Sequence, residues 1–191
     1  AATYLEKRAH KPGWHLENLA LASFISSMPS GLKVLDVPFG TGRFMPIYAA
    51  KQWEVTGVDI SEEMLVTARQ YNPKKIVQYS EMKGDVLEMP FQLDEFDVVV
   101  SYRFLGYILT VEKAEHTIRK LAGVTKSYMI CQLQHLLEGA SVGLEDKMGH
   151  RMYWGQVESL LKSCKLEVLQ KVDGRPYENY LNTIVLLKKT D

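Results

Sequence analysis

Val34-Leu35-Asp36-Val37-Pro38-Phe39-Gly40-Thr41-Gly42-Arg43-Phe44 reads as a strand, a glycine-bearing loop and the entry to a helix. Residues 32–37 are short and mostly apolar, as a strand covered on both faces must be. Gly40 would let backbone approach a ligand closely, and Gly42 would ease entry to a helix expected over residues 42–50. A helix start offers backbone N–H groups to a negatively charged group. Taken alone, Gly-x-Gly reads equally well as a tight turn.

The flanking sequence extends the same alternation. Residues 14–27 place Leu16, Leu19, Ala20, Ser23, Phe24 and Ser27 at roughly helical spacing, and Pro29-Ser30-Gly31 stops that segment. Residues 53–58 predict a strand. Ser61 then caps a helix whose first turn holds Glu62 and Glu63, acids that complement the helix dipole. That helix ends by Tyr71-Asn72-Pro73.

Further strands are expected over 76–83, 96–101 and 127–133, with helices over 111–122 and 156–163. The last two strands, 165–172 and 181–188, are joined by Asp173-Gly174-Arg175-Pro176 with no helix between them, so they read as a hairpin. Repeated strand–helix–strand units give an α/β fold in three layers. The sheet is expected to be seven-stranded and mostly parallel, with an antiparallel last strand. Residues 136–152 lack clear periodicity, and loops of that length tend to be functional.

Composition narrows the function. The 191 residues hold 23 basic and 23 acidic side chains, with 46% apolar and 24% charged residues, as in an ordinary globular chain. Zero formal charge argues against a strongly electrostatic nucleic-acid binder. No apolar run approaches the roughly 20 residues needed to span a bilayer. Cys131 and Cys164 lack metal-ligand spacing, so no metal site is expected; two free thiols fit a reducing, cytoplasmic location. The chain opens at Ala1-Ala2-Thr3 without Met and without a basic-then-apolar leader, as a processed or trimmed chain or a piece of something longer would.

Acidic residues at later strand ends sharpen the glycine loop's meaning. Gly57-Val58-Asp59-Ile60-Ser61 ends in Asp59, 17 residues beyond Gly42. In nucleotide-binding sheets an acid there accepts both ribose hydroxyls. The plainer alternative makes Asp59 or Ser61 a helix cap, and two candidates in one turn leave Asp59 free for a ligand. Gly84-Asp85-Val86 supplies an acid that can accept from an adenine amino group, followed by an N–H that can donate to a ring nitrogen; in isolation it reads as a turn. Phe96-Asp97-Val98-Val99-Val100-Ser101 is a central strand opening on the same edge.

Together these four segments and the closing hairpin resemble the class I S-adenosylmethionine-dependent methyltransferases, in the broad small-molecule branch, over about residues 32–189. The resemblance implies a Rossmann-like sandwich and S-adenosylmethionine as cofactor. It implies that Gly40, Gly42 and the loop backbone lie beside the methionine part, and that Asp36 organises the loop or meets the methionine amino group. Asp59 would hold the ribose hydroxyls and Ile60 would pack on adenine. Asp85 and the Val86 backbone would read the adenine edge, and Ser101 or Tyr102 would lie near the methionine carbons. Pro38 departs from the family, which usually has Gly there; it fits if φ is negative and its N–H is not needed.

A dehydrogenase reading rests on Tyr71-x-x-x-Lys75, but Pro73 breaks the helical turn that would align the pair. Methyl transfer needs no fixed catalytic dyad. Tyr102, Arg103 and His135 are the candidates on the acceptor side. Arg103 could pair with an acidic substrate group or be a surface charge; His135 could be a base near neutral pH or a plain strand-end residue. Phe104, Tyr107, Met148, His150, Arg151, Tyr153 and Trp154 could wall a substrate or pack the next helix.

Residues 1–30, with Tyr4, Arg8, His10, Lys11, Trp14 and His15, are expected to form a helical lid, and 31–191 the cofactor-binding domain. A small-molecule acceptor is the expected partner, with no nucleic acid and no membrane span. No Asn/Asp-Pro-Pro-Tyr/Phe run is present. The rivals are a non-catalytic S-adenosylmethionine-binding module and a nucleic-acid methyltransferase.

Overall fold

A computed structural model describes residues 12–72, 79–107, 110–140, 152–177 and 179–190. The elements in chain order are α1 (Pro12–Ser26), β1 (Lys33–Asp36), α2 (Met45–Ala50), β2 (Glu54–Asp59), α3 (Glu62–Tyr71), β3 (Tyr79–Lys83) and β4 (Phe96–Ser101). There follow α4 (Val111–Val124), β5 (Thr125–Leu136), β6 (Met152–Tyr153), α5 (Trp154–Ser163), β7 (Leu166–Tyr177) and β8 (Tyr180–Lys189).

The sheet order is β3-β2-β1-β4-β5-β8-β7, with β6 paired to β5 alone. Strands β1 to β5 pair in parallel, and β8 runs antiparallel to both β5 and β7. The expected Rossmann-like architecture is therefore present, with one addition. The two-residue β6 pairs with His135 and Leu136 of β5 and makes an eighth strand too short to leave a periodic signal.

Alternate residues of each strand feed opposite faces, as strand geometry dictates. Val34, Val55, Val98 and Val100 pack under α1, α2 and α3 with Leu21, Phe24, Met45, Tyr48 and Leu65. Leu35, Val58, Val99 and Met129 pack under α4 and α5 with Ile118, Leu121, Val157 and Leu161. Each fully buried large side chain contributes about 1.5–3 kcal/mol. Both faces are covered, which is why β1 and β4 read as continuous apolar runs.

Two expectations need correcting. The helix expected from residue 42 starts at Met45, because Gly40 and Gly42 take positive φ values of 57° and 63° and Pro46 sets the first turn. The glycine-proline stretch 173–176 is not the hairpin turn. Strand β7 continues through it to Tyr177, with a register shift between Asp173 and Pro176. Gly174 sits there with its Cβ direction 3.0 Å from the Asn182 carbonyl, so Gly marks a bulge where the strands approach closely.

Candidate functional site

The carboxyl ends of β1, β2 and β4 meet at one edge, where the glycine loop crosses between them. Three of the loop's N–H groups are spent on the fold. Phe39 N donates to the Val58 carbonyl at 2.8 Å, Gly40 N to Asp59 Oδ2 at 2.7 Å, and Gly42 N to the Phe39 carbonyl at 3.0 Å. The loop is thus a folded turn tied to β2, not a free helix terminus. Pro38 does not take a positive φ, so proline fits this turn of the loop; the Val37–Pro38 bond is cis.

Asp59 is 7% exposed, and both its oxygens accept backbone N–H groups, Oδ2 from Gly40 and Oδ1 from Ser61 at 2.8 Å. Ser61 Oγ meanwhile accepts from Met64 N at 3.4 Å and caps α3. A carboxylate has about four lone-pair sites, and these two bonds use about half of them.

Two clefts flank this carboxylate. One, of about 280 Å³, is lined by Asp36, Gly40, Arg43, Phe44, Tyr102 and Arg103 among others. The second, of about 300 Å³, is lined by Ile60, Asp85, Val86, Phe104, Lys113 and Thr117 among others. Pro38 and Asp59 belong to both. Ile60, an apolar side chain 70% exposed, stands in the lining of the second cleft. Asp85 Oδ1 accepts from Leu87 N at 3.0 Å, which fixes the turn that carries Val86.

Asp36 is 2% exposed. Burial raises its carboxyl to about 8; the Tyr48 hydroxyl, donating at 3.2 Å, and the Arg43 charge pull the other way. Such a group is poised to ionise when a cation arrives. The Arg43 guanidinium lies 4.3 Å from the Phe44 ring centre and 4.4 Å from that of Tyr102, in the cation–π range.

The structure brings together Asp36, Pro38, Gly40, Asp59, Ile60, Asp85, Val86, Tyr102 and Arg103. Gly42 and Ser101 line neither cleft. Gly42 backs the loop, and Ser101 is fully buried with its Oγ lacking a hydrogen-bond partner. His135 lies apart, with Nε2 3.0 Å from Thr183 Oγ1 and its ring beside Trp154. Residues 1–11 and 141–151, and with them Tyr4, Arg8, His10, Lys11, Met148, His150 and Arg151, fall outside the described residues. Among those described, no group of His, Cys, Asp and Glu could hold a metal ion.

Three residues escaped the sequence reading. Asn72, where α3 ends, donates its Nδ2 toward the Thr41 and Gly42 carbonyls, both at 3.1 Å, and clamps the glycine loop from behind. Arg43 was visible only as the residue after Gly42. Glu17 of α1 reaches across to Tyr102, Arg103 and Gln132. Its fractional burial on a helix gives no local signal.

Residues 34–128 match a family model described as a methyltransferase domain. Over 103 residues the chain is 32% identical to "Putative methyltransferase YqeM" of Bacillus subtilis (strain 168), covering 53% of this chain and 41% of that protein. Over 98 residues it is 33% identical to the phosphatidylethanolamine N-methyltransferase of Cereibacter sphaeroides, covering 50% of this chain and 46% of the relative. The match thus spans less than half the length of these curated relatives. Among solved structures, the magnesium protoporphyrin IX methyltransferase (ChlM) of Synechocystis PCC 6803 with bound SAM superposes with a TM-score of 0.71 at 17% identity, covering 93% of this chain and 80% of that one. Residues 34–128 thus carry a methyltransferase domain, on the fold shared with that methyltransferase structure.

Proposed function

We propose that the protein is an S-adenosylmethionine-dependent methyltransferase that acts on a small-molecule acceptor. The observation that carries this reading is the pair of clefts joined at Pro38 and Asp59, with Asp36 in the lining of one and Asp85 in that of the other. When bound, S-adenosylmethionine supplies a methyl group activated by its sulfonium charge, and the C–S electron pair leaves with sulfur as the acceptor attacks.

The chain's own residues would bind and orient. Asp59 would take the ribose hydroxyls on its remaining lone-pair sites. Ile60 would cover one adenine face, with Asp85 and the Val86 N–H reading the adenine edge. Asp36 would ionise against the methionyl ammonium, and Arg43 would meet the methionyl carboxylate. Gly40 fits this cradle: nothing lies within 4 Å of the place where its Cβ would project. Holding donor and acceptor in line can supply roughly 7–11 kcal/mol of barrier lowering, so positioning is the main task.

Tyr102 would serve as a hydrogen-bond donor: its hydroxyl donates to Glu17, and burial and the Glu17 carboxylate hold its phenol well above the ordinary range. Helix α1 would act as part of a lid, since its Glu17 reaches Arg103 of the cleft lining. A cytoplasmic location stays part of the proposal on the two free thiols.

Mass spectrometry of the purified protein should find a co-purified adenosyl nucleoside, and a metabolite-extract screen should find a labelled methyl acceptor. Nucleoside bound without label reaching any acceptor would favour a binding module instead.

A further inference from the structure

Glu17 stands on α1 one turn ahead of the buried Ala20 and Leu21, and its carboxylate meets Tyr102 and Arg103, two residues of the first cleft's lining. Three donors converge on it. Tyr102 Oη donates to Oε2, an Arg103 Nη2 donates to the same oxygen at 2.8 Å, and Gln132 Nε2 donates to Oε1 at 3.0 Å. The Glu17 and Arg103 side chains are 12% and 15% exposed, so the pair is largely withdrawn from water. Tyr102 and Arg103 also line the cleft that holds Gly40 and Arg43.

This donor set has a definite chemistry. One guanidinium and two neutral donors satisfy both oxygens of a planar monoanion, which is the shape and charge of a carboxylate. Arg103 also has φ of 57°, a conformation strained for a side-chain-bearing residue, and such strain collects where a ligand is held.

A guanidinium this buried does not tolerate the loss of its anion. Exchanging one carboxylate for another keeps every bond. Around Glu17, Leu16 and Leu19 are exposed, whereas Ala20, Leu21, Phe24 and Ile25 further along α1 lie in the core. Glu17 can leave while the helix stays anchored.

We propose that Tyr102, Arg103 and Gln132 form a receptor for the carboxylate of the methyl acceptor, and that Glu17 fills it until an acidic acceptor displaces it. The receptor's part in acceptor binding rests on the methyltransferase reading above. The acceptor class is then a small carboxylic acid, held by its carboxylate with its nucleophile turned toward the cofactor cleft.

The test titrates the protein, with and without S-adenosylhomocysteine, with acetate and benzoate and with the matched amides acetamide and benzamide. The acids should bind saturably and speed amide hydrogen exchange in residues 15–19; the amides should do neither. Glu17→Ala should tighten both acids at least tenfold, and adding Arg103→Ala should abolish their binding. Should Glu17→Ala fail to fold, Glu17→Gln keeps the side-chain shape and should show the same direction. Acids and amides binding alike, or acid affinity unchanged by both Glu17 substitutions, would overturn the receptor. Acids binding as described with no uptake of S-adenosylhomocysteine would instead fault the cofactor reading and leave the receptor standing.

Discussion

The Gly40 N–H donates to Asp59 Oδ2 at 2.7 Å, so the glycine loop after β1 is fastened to the acid that ends β2. One carboxylate thereby sets the loop's shape and faces both clefts. Removing it should be felt twice. Asp59→Ala should weaken binding of S-adenosylhomocysteine at least tenfold, about 1.4 kcal/mol, by calorimetric titration. It should also lower unfolding free energy in urea by about 1–3 kcal/mol, since two N–H groups lose their acceptor. Unchanged affinity with lowered stability would make Asp59 a structural tie alone.

The two glycines of the loop should separate stability from binding. Gly42 has φ of 63°, and a Cβ there would lie 2.8 Å from Asn72 Nδ2 and 3.0 Å from the Phe39 ring. Gly42→Ala should therefore destabilise the fold by several kcal/mol, from backbone strain plus the clash. Gly40 has φ of 57° with open space ahead of it, so Gly40→Ala carries the strain without a clash. It should cost about 1–2 kcal/mol of stability and lose cofactor affinity disproportionately, because its Cβ enters the cleft. Thermal melts and titrations of the pair decide the matter.

Asn72 clamps the loop with one amide. Asn72→Ala leaves the Thr41 and Gly42 carbonyls without that donor and should cost about 1–3 kcal/mol. Asn72→Asp turns a carboxylate oxygen toward the same carbonyls and should cost more. The order of the two urea midpoints checks this.

Asp36 makes stability depend on pH in an unusual direction. Its folded value of about 8 lies above its unfolded 3.8, so between those values the folded protein binds the extra proton. Unfolding then releases it, and stability falls as pH rises from about 4 to about 8. The readout is wild type minus Asp36→Asn, which isolates this group and should show the fall and then level off above about 8. Binding a ligand cation beside Asp36 should release a proton near neutral pH, seen as binding heats that vary with buffer ionisation enthalpy.

What could be read from the chain follows from how local each signal is. The runs 34–37 and 98–100 announce central strands because both faces are buried, and Ser61 with Glu62 and Glu63 announces a helix start within one turn. Asp36, Gly40, Asp59 and Asp85 were legible because strand ends are fixed by the fold's geometry. Glu17, Arg43 and Asn72 were not. Glu17 meets partners 85 to 115 positions away, and no spacing rule links such residues. Gly174-Arg175-Pro176 misled because Gly and Pro mark bulges as well as turns.

Calorimetric titration of the purified protein with S-adenosylhomocysteine tests the central claim most directly. One saturable site that weakens at least tenfold in Asp59→Ala is the predicted result. No binding heat in the wild type, with adenosine and methionine equally silent, would contradict the assignment of these two clefts to an adenosyl ligand.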